Sequence, residues 1–263
     1  MDLGIRGRRA LVGGGSAGLG RAVAERLLGE GCEVALWARG REALEAAAAD
    51  LGARHGARVA TIVADAADPG AAAIVAERVV ALLGGVEILV LNAGGPPTSE
   101  PDATDAEGWA RAFQLLATTP IDLATRILPA MRAARWGRIV AILSYTIRQP
   151  IPNLSYSNAG RAALAEWLKT VSRAVAADGV TVNGVMPGRI DTARIRQLDE
   201  VAAAATGRTP GEARAAQIGA IPAGRYGEPD EFAALVTYLC SEPARYQTGT
   251  FTAVDGGLLV GFP

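Results

Sequence analysis

The sequence predicts an α/β fold: a single doubly wound domain with a parallel seven-stranded sheet and helices on both faces. Short apolar runs alternate with Ala-rich helical segments along most of the chain, which is the pattern of strand–helix–strand units. The runs are apolar throughout, as expected for parallel strands that are covered on both faces. The chain has 263 residues, 50% of them hydrophobic, so we expect residues 1–263 to form one domain around one large core.

Each strand is predicted where an apolar run ends at turn residues. The predicted strands cover residues 10–12, 34–37, 59–64, 86–91, 138–143, 180–186 and 250–254. The predicted helices begin at about residue 19, cover 41–51, 71–83, 104–131 and 155–177, and include a last one from residue 228. Thr104 and Glu107 form a capping-box pattern for the helix at 104–131, and Pro120 and Pro129 are expected to kink or divide it.

A glycine cluster lies between the first strand and the first helix. Gly14, Gly18 and Gly20 have the spacing G-x-x-x-G-x-G. Glycine lets the backbone approach a phosphate closely, and the free N–H groups at a helix start point toward that phosphate. The stretch therefore predicts a phosphate-binding site at the start of the first helix.

Charge and cysteine content argue against several other classes of function. The formal net charge is −1, which gives no electrostatic case for nucleic acid or for an anionic membrane surface. Cys32 and Cys240 lie in apolar settings and are expected to be buried free thiols, and no metal-ligand spacing occurs. The N-terminus lacks an apolar leader and no run is long enough to span a membrane, so we expect a cytoplasmic protein.

Several motifs in a fixed order give the sequence a family resemblance. They are Gly14-x-x-x-Gly18-x-Gly20, Asp65 after the third strand, Asn92-Ala93-Gly94, Ser144 after the fifth strand, Val182-Asn183…Pro187-Gly188…Thr192, and Val254-Asp255-Gly256-Gly257. In this order they resemble the short-chain dehydrogenase/reductase family, in particular its β-ketoacyl reductases, over nearly the whole chain. The resemblance implies a Rossmann-type domain that binds a nicotinamide dinucleotide at the carboxyl ends of the strands. It also implies a homotetramer or homodimer.

The resemblance assigns a set of cofactor-binding positions, and the end of the second strand suggests the cofactor type. The implied positions are Gly14, Ser16, Gly18, Leu19, Gly20, Arg39, Asp65, Ala66, Asn92, Ala93, Gly94, Pro187, Gly188, Ile190 and Thr192. The second strand ends in Trp37-Ala38-Arg39, with a guanidinium and no carboxylate. Since Arg39 can pair with a 2′-phosphate, we predict NADP(H) in preference to NAD(H).

The catalytic positions depart from the family pattern of Ser, Tyr and Lys with an Asn on the preceding helix. The residue four positions after Tyr156 is Gly160, where the pattern requires a lysine on the same helix face. The ungapped register instead places Arg161 in the lysine slot and Ser157 in the tyrosine slot. Either Tyr156 or Ser157 is thus a candidate for the acid position, and Leu116 falls where the asparagine belongs. Ser144 either polarises a substrate oxygen or bonds its own backbone.

Two functional hypotheses follow. The first is an NADP(H)-dependent oxidoreductase that interconverts a carbonyl and a secondary alcohol of a small molecule, with residues 193–225 covering the substrate. Its proton would come from Tyr156 or from a water held by Ser157 and Arg161. The alternative is a dinucleotide-binding protein, a sensor or subunit with impaired or no redox activity. Four arginines on the covering segment suggest an anionic substrate or a solvated lid: Arg194, Arg196, Arg208 and Arg214.

Overall fold

The predicted strands all lie in one sheet of the computed structural model, which describes residues 1–261. The strands are β1 (Arg9–Gly13), β2 (Glu33–Ala38), β3 (Ala60–Val63), β4 (Ile88–Leu91), β5 (Gly137–Ile142), β6 (Val180–Pro187) and β7 (Phe251–Val254). Residues 262 and 263, the end of the predicted domain, lie outside the described residues.

The strand order is β3-β2-β1-β4-β5-β6-β7, and every pair of neighbours is parallel. The chain therefore winds outward from β1 in one direction and then from β4 in the other. All seven carboxyl ends lie at one edge of the sheet, with a switch point between β1 and β4 where such folds bind their ligands. The predicted doubly wound parallel sheet is confirmed.

Helices cover both faces of the sheet. In the described residues they are α1 (Gly18–Gly29), α2 (Arg41–His55), α3 (Ala71–Leu83), α4 (Ala106–Phe113), α5 (Thr119–Ala133), α6 (Ser155–Val175), α7 (Ala193–Thr206), α8 (Pro210–Gly219) and α9 (Pro229–Leu239). One apolar cluster joins α3, α5 and α6 to the sheet, and a second joins α1, α2 and α9 to the other face. None of the helices within residues 1–261 is both long enough and apolar enough to cross a lipid bilayer.

The helix predicted at 104–131 is divided, and its cap differs from the prediction. Asp105 is the N-cap residue of α4, and its carboxylate accepts a hydrogen bond of 2.6 Å from the Gly108 amide, so the Thr104 cap was wrong by one residue. A π-helical turn at residues 114–118 then separates α4 from α5. Pro120 lies at the start of α5, just after the π-helical turn, whereas Pro129 lies inside α5 and does not divide it.

Candidate active site

The glycine cluster forms an open cradle at the start of α1. Gly14 and Gly18 have φ values of +59° and +56°, a conformation that L side chains rarely adopt. A Cβ on Gly20 would lie 2.5 Å from the Gly14 carbonyl oxygen, so only glycine fits there. No side chain caps α1 and no acidic residue lies in its first turn. These free amides and the positive end of the helix dipole fit the diphosphate of a dinucleotide.

The remaining predicted cofactor positions on this side border the same cradle. The Asn92 side-chain amide donates a hydrogen bond of 3.1 Å to the Gly13 carbonyl oxygen, which fixes the Asn92–Gly94 loop beside the glycines. Thr192 caps α7, and its methyl group lies 3.6 Å from where a Cβ on Gly18 would be. The turn after β6 thus lies against the turn after β1. Ser16 and Leu19 lie in the cradle and at the start of α1.

The segment after β6 is held by β7 and by a short bridge. Gly188 donates its amide to the Val254 carbonyl oxygen, and a Cβ on Gly188 would lie 2.6 Å from the Asp255 Cα. Ile190 pairs with Gly227 in an isolated parallel bridge and is buried. Pro187 and Ile190, both predicted cofactor positions, are therefore placed at the sheet edge that carries the cradle.

Arg39, Asp65 and Ala66 lie at the far end of the cradle, after β2 and β3. Arg39 is exposed and forms no hydrogen bond or ion pair with another side chain of residues 1–261, so its guanidinium is available to a ligand. Asp65 accepts a hydrogen bond from the Ala67 amide. The Ala66 carbonyl oxygen accepts a hydrogen bond of 2.8 Å from the Thr119 hydroxyl, which ties this loop to α5.

Ser144 follows β5 and begins a short 3₁₀ turn. Its Oγ accepts hydrogen bonds from both the backbone N–H of Thr146, at 3.2 Å, and the hydroxyl of Thr146, at 3.0 Å. Ser144 therefore bonds the backbone two residues further along, which is one of the two roles predicted for it. The Ser144 hydroxyl has one rotatable proton, which it can donate to a bound oxygen when the Thr146 hydroxyl acts as the donor in their pair.

Ser157 and Arg161 lie one helical turn apart on α6 and are hydrogen-bonded to each other. The Arg161 Nε donates to the Ser157 Oγ at 3.3 Å, and the Arg161 Nη1 donates to the Ile142 carbonyl oxygen, the last of β5, at 2.9 Å. Burial, and then the positive charge of Arg194, lower the pKa of Arg161 to about 10. The guanidinium is still charged at neutral pH, and it links Ser157 to the last residue of β5, two residues before Ser144.

Tyr156 points away from this group. Its hydroxyl accepts a hydrogen bond of 3.0 Å from the Asp105 amide, and its ring packs edge-on against Trp109 with centroids 4.8 Å apart. The side chain is buried, and a Cβ on Gly108 would collide with its hydroxyl. The phenol thus lies between α4 and α6, with no contact to Arg161. Burial raises the pKa of the other nearby phenol, Tyr145, which makes it a weaker proton donor at neutral pH.

Leu116 occupies the π-helical turn that faces α6. It is buried, and its Cβ lies 3.0 Å from where a Cβ on Gly160 would be. The two residues therefore form one close helix contact, and a side chain at position 160 would have to displace Leu116. Leu116 has no polar atom in its side chain, so it offers nothing to hold a water where the family pattern has an asparagine.

The segment 193–225 forms α7 and α8, which pack on each other and are tied to the turn after β6. Asp191 pairs with Arg196 at 3.0 Å and with Arg214 at 2.7 Å, and these contacts lower the pKa of its carboxyl group. The Tyr226 hydroxyl donates to the carboxylate of the buried Asp199 and lies 2.9 and 3.0 Å from its two oxygens. Sequence patterns did not reveal this anchoring network, because its members are distant along the chain and follow no fixed spacing.

Comparisons with known proteins agree with this geometry. A family model described as enoyl-(acyl carrier protein) reductase matches residues 14–259. The 3-oxoacyl-[acyl-carrier-protein] reductase FabG of Salmonella typhimurium is 32% identical over 256 residues, which cover 97% of this chain and 98% of FabG. The 2-dehydro-3-deoxy-L-rhamnonate dehydrogenase (NAD(+)) of a Sphingomonas species is 29% identical, and the match covers 95% of each chain.

A solved structure is similar along its whole length. The L-sorbose reductase of Gluconobacter frateurii, determined with NADPH and L-sorbose, superposes with a TM-score of 0.94 at 33% identity and covers 100% of both chains. Neither the family model nor these relatives favour the alternative of a dinucleotide-binding protein without redox activity. The chain therefore belongs to the short-chain dehydrogenase/reductase family, and it is an NAD(P)(H)-dependent oxidoreductase that interconverts a carbonyl group and an alcohol.

Proposed function

We propose that the enzyme is a ketoreductase that uses NADP(H) in preference to NAD(H). The cradle formed by the glycines and the start of α1 would hold the diphosphate, and Arg39 would pair with the 2′-phosphate of the adenosine. Arg39 is exposed, directly follows β2, and forms no ion pair with a carboxylate of residues 1–261. The L-sorbose reductase was determined with NADPH, which agrees with this choice.

The Arg39→Ala variant tests the cofactor choice and the activity together. Initial rates of NADPH and NADH oxidation are measured with a panel of small carbonyl compounds. We expect the wild-type protein to favour NADPH, and Arg39→Ala to lower the ratio of kcat/KM for NADPH to that for NADH about 10-fold, because one charge-assisted phosphate contact is lost. Arg58→Ala is the matched control, since Arg58 is also exposed but precedes the amino end of β3. An unchanged ratio in Arg39→Ala would contradict the assignment.

In the proposed mechanism, three side chains act on the substrate carbonyl at the end of β5. When bound, the nicotinamide supplies or accepts the hydride. Ser144 donates its free hydroxyl proton as a hydrogen bond to the carbonyl oxygen and stabilises the developing negative charge. Ser157 donates a second hydrogen bond, oriented by Arg161. The permanent charge of Arg161 adds electrostatic stabilisation of the oxyanion, whichever group delivers the proton.

The proton itself would come from solvent through a water held by Ser157 and Arg161, which takes a proton from bulk water as it gives one to the alkoxide that hydride addition forms. A serine hydroxyl is a much weaker acid than a phenol, and Tyr156 is held by Asp105 on the other side of α6. Serine is also much shorter than tyrosine, so the substitution leaves room for a water beside the Arg161 guanidinium. The observation that carries this mechanism is the Arg161–Ser157 hydrogen bond at 3.3 Å, one helical turn apart on α6.

We also propose that α7 and α8 cover the bound substrate and that the chains assemble as a homotetramer. β7 is an edge strand of the sheet, and its four residues are only half-buried in the single chain. Because unpaired sheet edges are usually protected, we expect another chain to cover this edge. Light scattering on the purified protein is expected to give the mass of four chains. The mass of two chains would show that the protein is a homodimer instead. The mass of one chain would contradict both the tetramer and the dimer.

A further inference from the structure

Arg194 differs from the other arginines of the covering segment. Arg196 and Arg214 pair with Asp191, and Arg208 is exposed. The Arg194 guanidinium instead donates to the Pro96 carbonyl oxygen at 2.9 Å and to the Gln197 side-chain oxygen at 3.0 Å. No carboxylate within residues 1–261 forms an ion pair with it. Burial lowers the pKa of Arg194, which means that its charge is partly removed from water without being neutralised.

Arg161 is a second unneutralised charge on the same side of the sheet. Its partners are the Ser157 hydroxyl and the Ile142 carbonyl oxygen, both uncharged, and it forms no ion pair among the described residues. After burial, the positive charge of Arg194 is the second cause that lowers the pKa of Arg161. Two like charges that are partly removed from water and have no carboxylate partner favour the binding of an anion.

The position of Arg194 places this pair over the reaction site. Its Nη2 lies 3.2 Å from where a Cβ on Gly95 would be, so the guanidinium rests on the loop that follows β4. Arg161 holds the end of the adjacent strand, β5. The two charges therefore lie at the carboxyl ends of neighbouring strands, β4 and β5, which pair in parallel.

We propose that the substrate is an oxo acid, whose carboxylate binds to Arg194 and Arg161 a few bonds from the reacting carbonyl. This inference rests on the proposed function and adds the substrate class to it. A carboxylate has two oxygens and a negative charge, so it can accept hydrogen bonds from both guanidinium groups and neutralise them. The Pro96 and Ile142 carbonyl oxygens accept hydrogen bonds but carry no net charge. The enzyme would then select substrates by their negative charge, and the carboxylate would be bound close to the carbonyl group that is reduced.

The test compares oxo acids with their neutral methyl esters. The pairs are pyruvate, acetoacetate and levulinate, each against its methyl ester, assayed with NADPH and the full-length enzyme. We expect at least one acid to exceed its ester in kcat/KM, and Arg194→Met to reduce kcat/KM for that acid about 10- to 100-fold while leaving its ester within about twofold. Arg208→Met, an exposed arginine on the same segment, is the matched control and should change neither.

A binding measurement does not depend on turnover. Calorimetry with 3-hydroxybutyrate and its methyl ester is performed on the enzyme saturated with NADPH, where no reaction can occur because both partners are reduced. Binding of the acid that is lost in Arg194→Met supports the proposal. Equal binding of acid and ester overturns it, and so does a rise in the Kd for NADPH in Arg194→Met with an unchanged acid-to-ester preference, since Arg194 would then serve the cofactor phosphates. If the acid binds but no carbonyl compound is reduced, the proposed function fails while the anion site remains.

Discussion

Replacing Ser157 by tyrosine and Arg161 by lysine is expected to raise kcat for a neutral ketone about 100-fold. The double variant places a phenol and an ammonium one helical turn apart on α6, where the wild-type enzyme has a serine and an arginine joined by a hydrogen bond of 3.3 Å. A positioned general acid contributes about 10²- to 10⁴-fold, and the neighbouring ammonium lowers the pKa of the phenol. The measurement is the single-turnover rate of NADPH oxidation, followed from pH 6 to pH 10.

The matched control is Ser157→Phe with Arg161→Lys, which fills the same space without a hydroxyl group. We expect this control to show no gain, and only the tyrosine variant to acquire a rate that falls as the phenol loses its proton at high pH. Tyr156→Phe is a second control. It removes the hydrogen bond from the Asp105 amide, so it should lower the free energy of unfolding by about 1 kcal/mol while kcat stays within about twofold. Equal rates in the tyrosine and phenylalanine variants would rule out the acid position at residue 157.

Substituting alanine for Gly18 is expected to weaken NADPH binding about 100-fold. Gly18 is the first residue of α1 and has a φ of +56°, so a side chain there strains the turn and projects into the cradle where phosphate oxygens must approach the amides. Fluorescence titration of NADPH gives the Kd. The loss should be similar for NADH, because both cofactors have the diphosphate.

Gly211→Ala is the control for the glycine substitution. Gly211 lies in α8, and a Cβ there would meet nothing within 4 Å. It should leave the Kd unchanged, and thermal unfolding of both variants separates a local loss of binding from a loss of fold. If Gly18→Ala retains its fold and binds NADPH as tightly as the wild type, the diphosphate does not bind at this turn.

Sequence patterns predicted the sheet well because its strands are continuous apolar runs bounded by glycine, asparagine or proline. The helix at 104–131 was predicted less well, for two local reasons. Thr104 and Asp105 are both good N-cap residues, and the chain uses the second. In the π-helical turn Leu116 packs against Gly160 of α6, a contact between two helices that no local pattern encodes.

The catalytic positions were the hardest to place because Tyr156 and Ser157 are adjacent in the sequence. A register that differs by one residue rotates the side chain by about 100° around a helix, which exchanges the two candidates. The contacts of Tyr156 with Asp105 and Trp109 decide which side chain faces β5, and both partners lie about fifty residues earlier in the chain. Arg194 likewise differs from Arg196 and Arg214 in having no acidic partner within the described residues, and the sequence does not show which arginines pair with Asp191.

The position of the switch point between β1 and β4 separates two tasks along the chain. The glycine cradle and Arg39 belong to the first three strands, whereas Ser144, Ser157 and Arg161 follow the fifth strand. The unusual side chains all lie in this second half. An altered reaction centre can therefore coexist with an ordinary diphosphate site, because the glycine cradle and the reaction centre are built on different strands of the sheet.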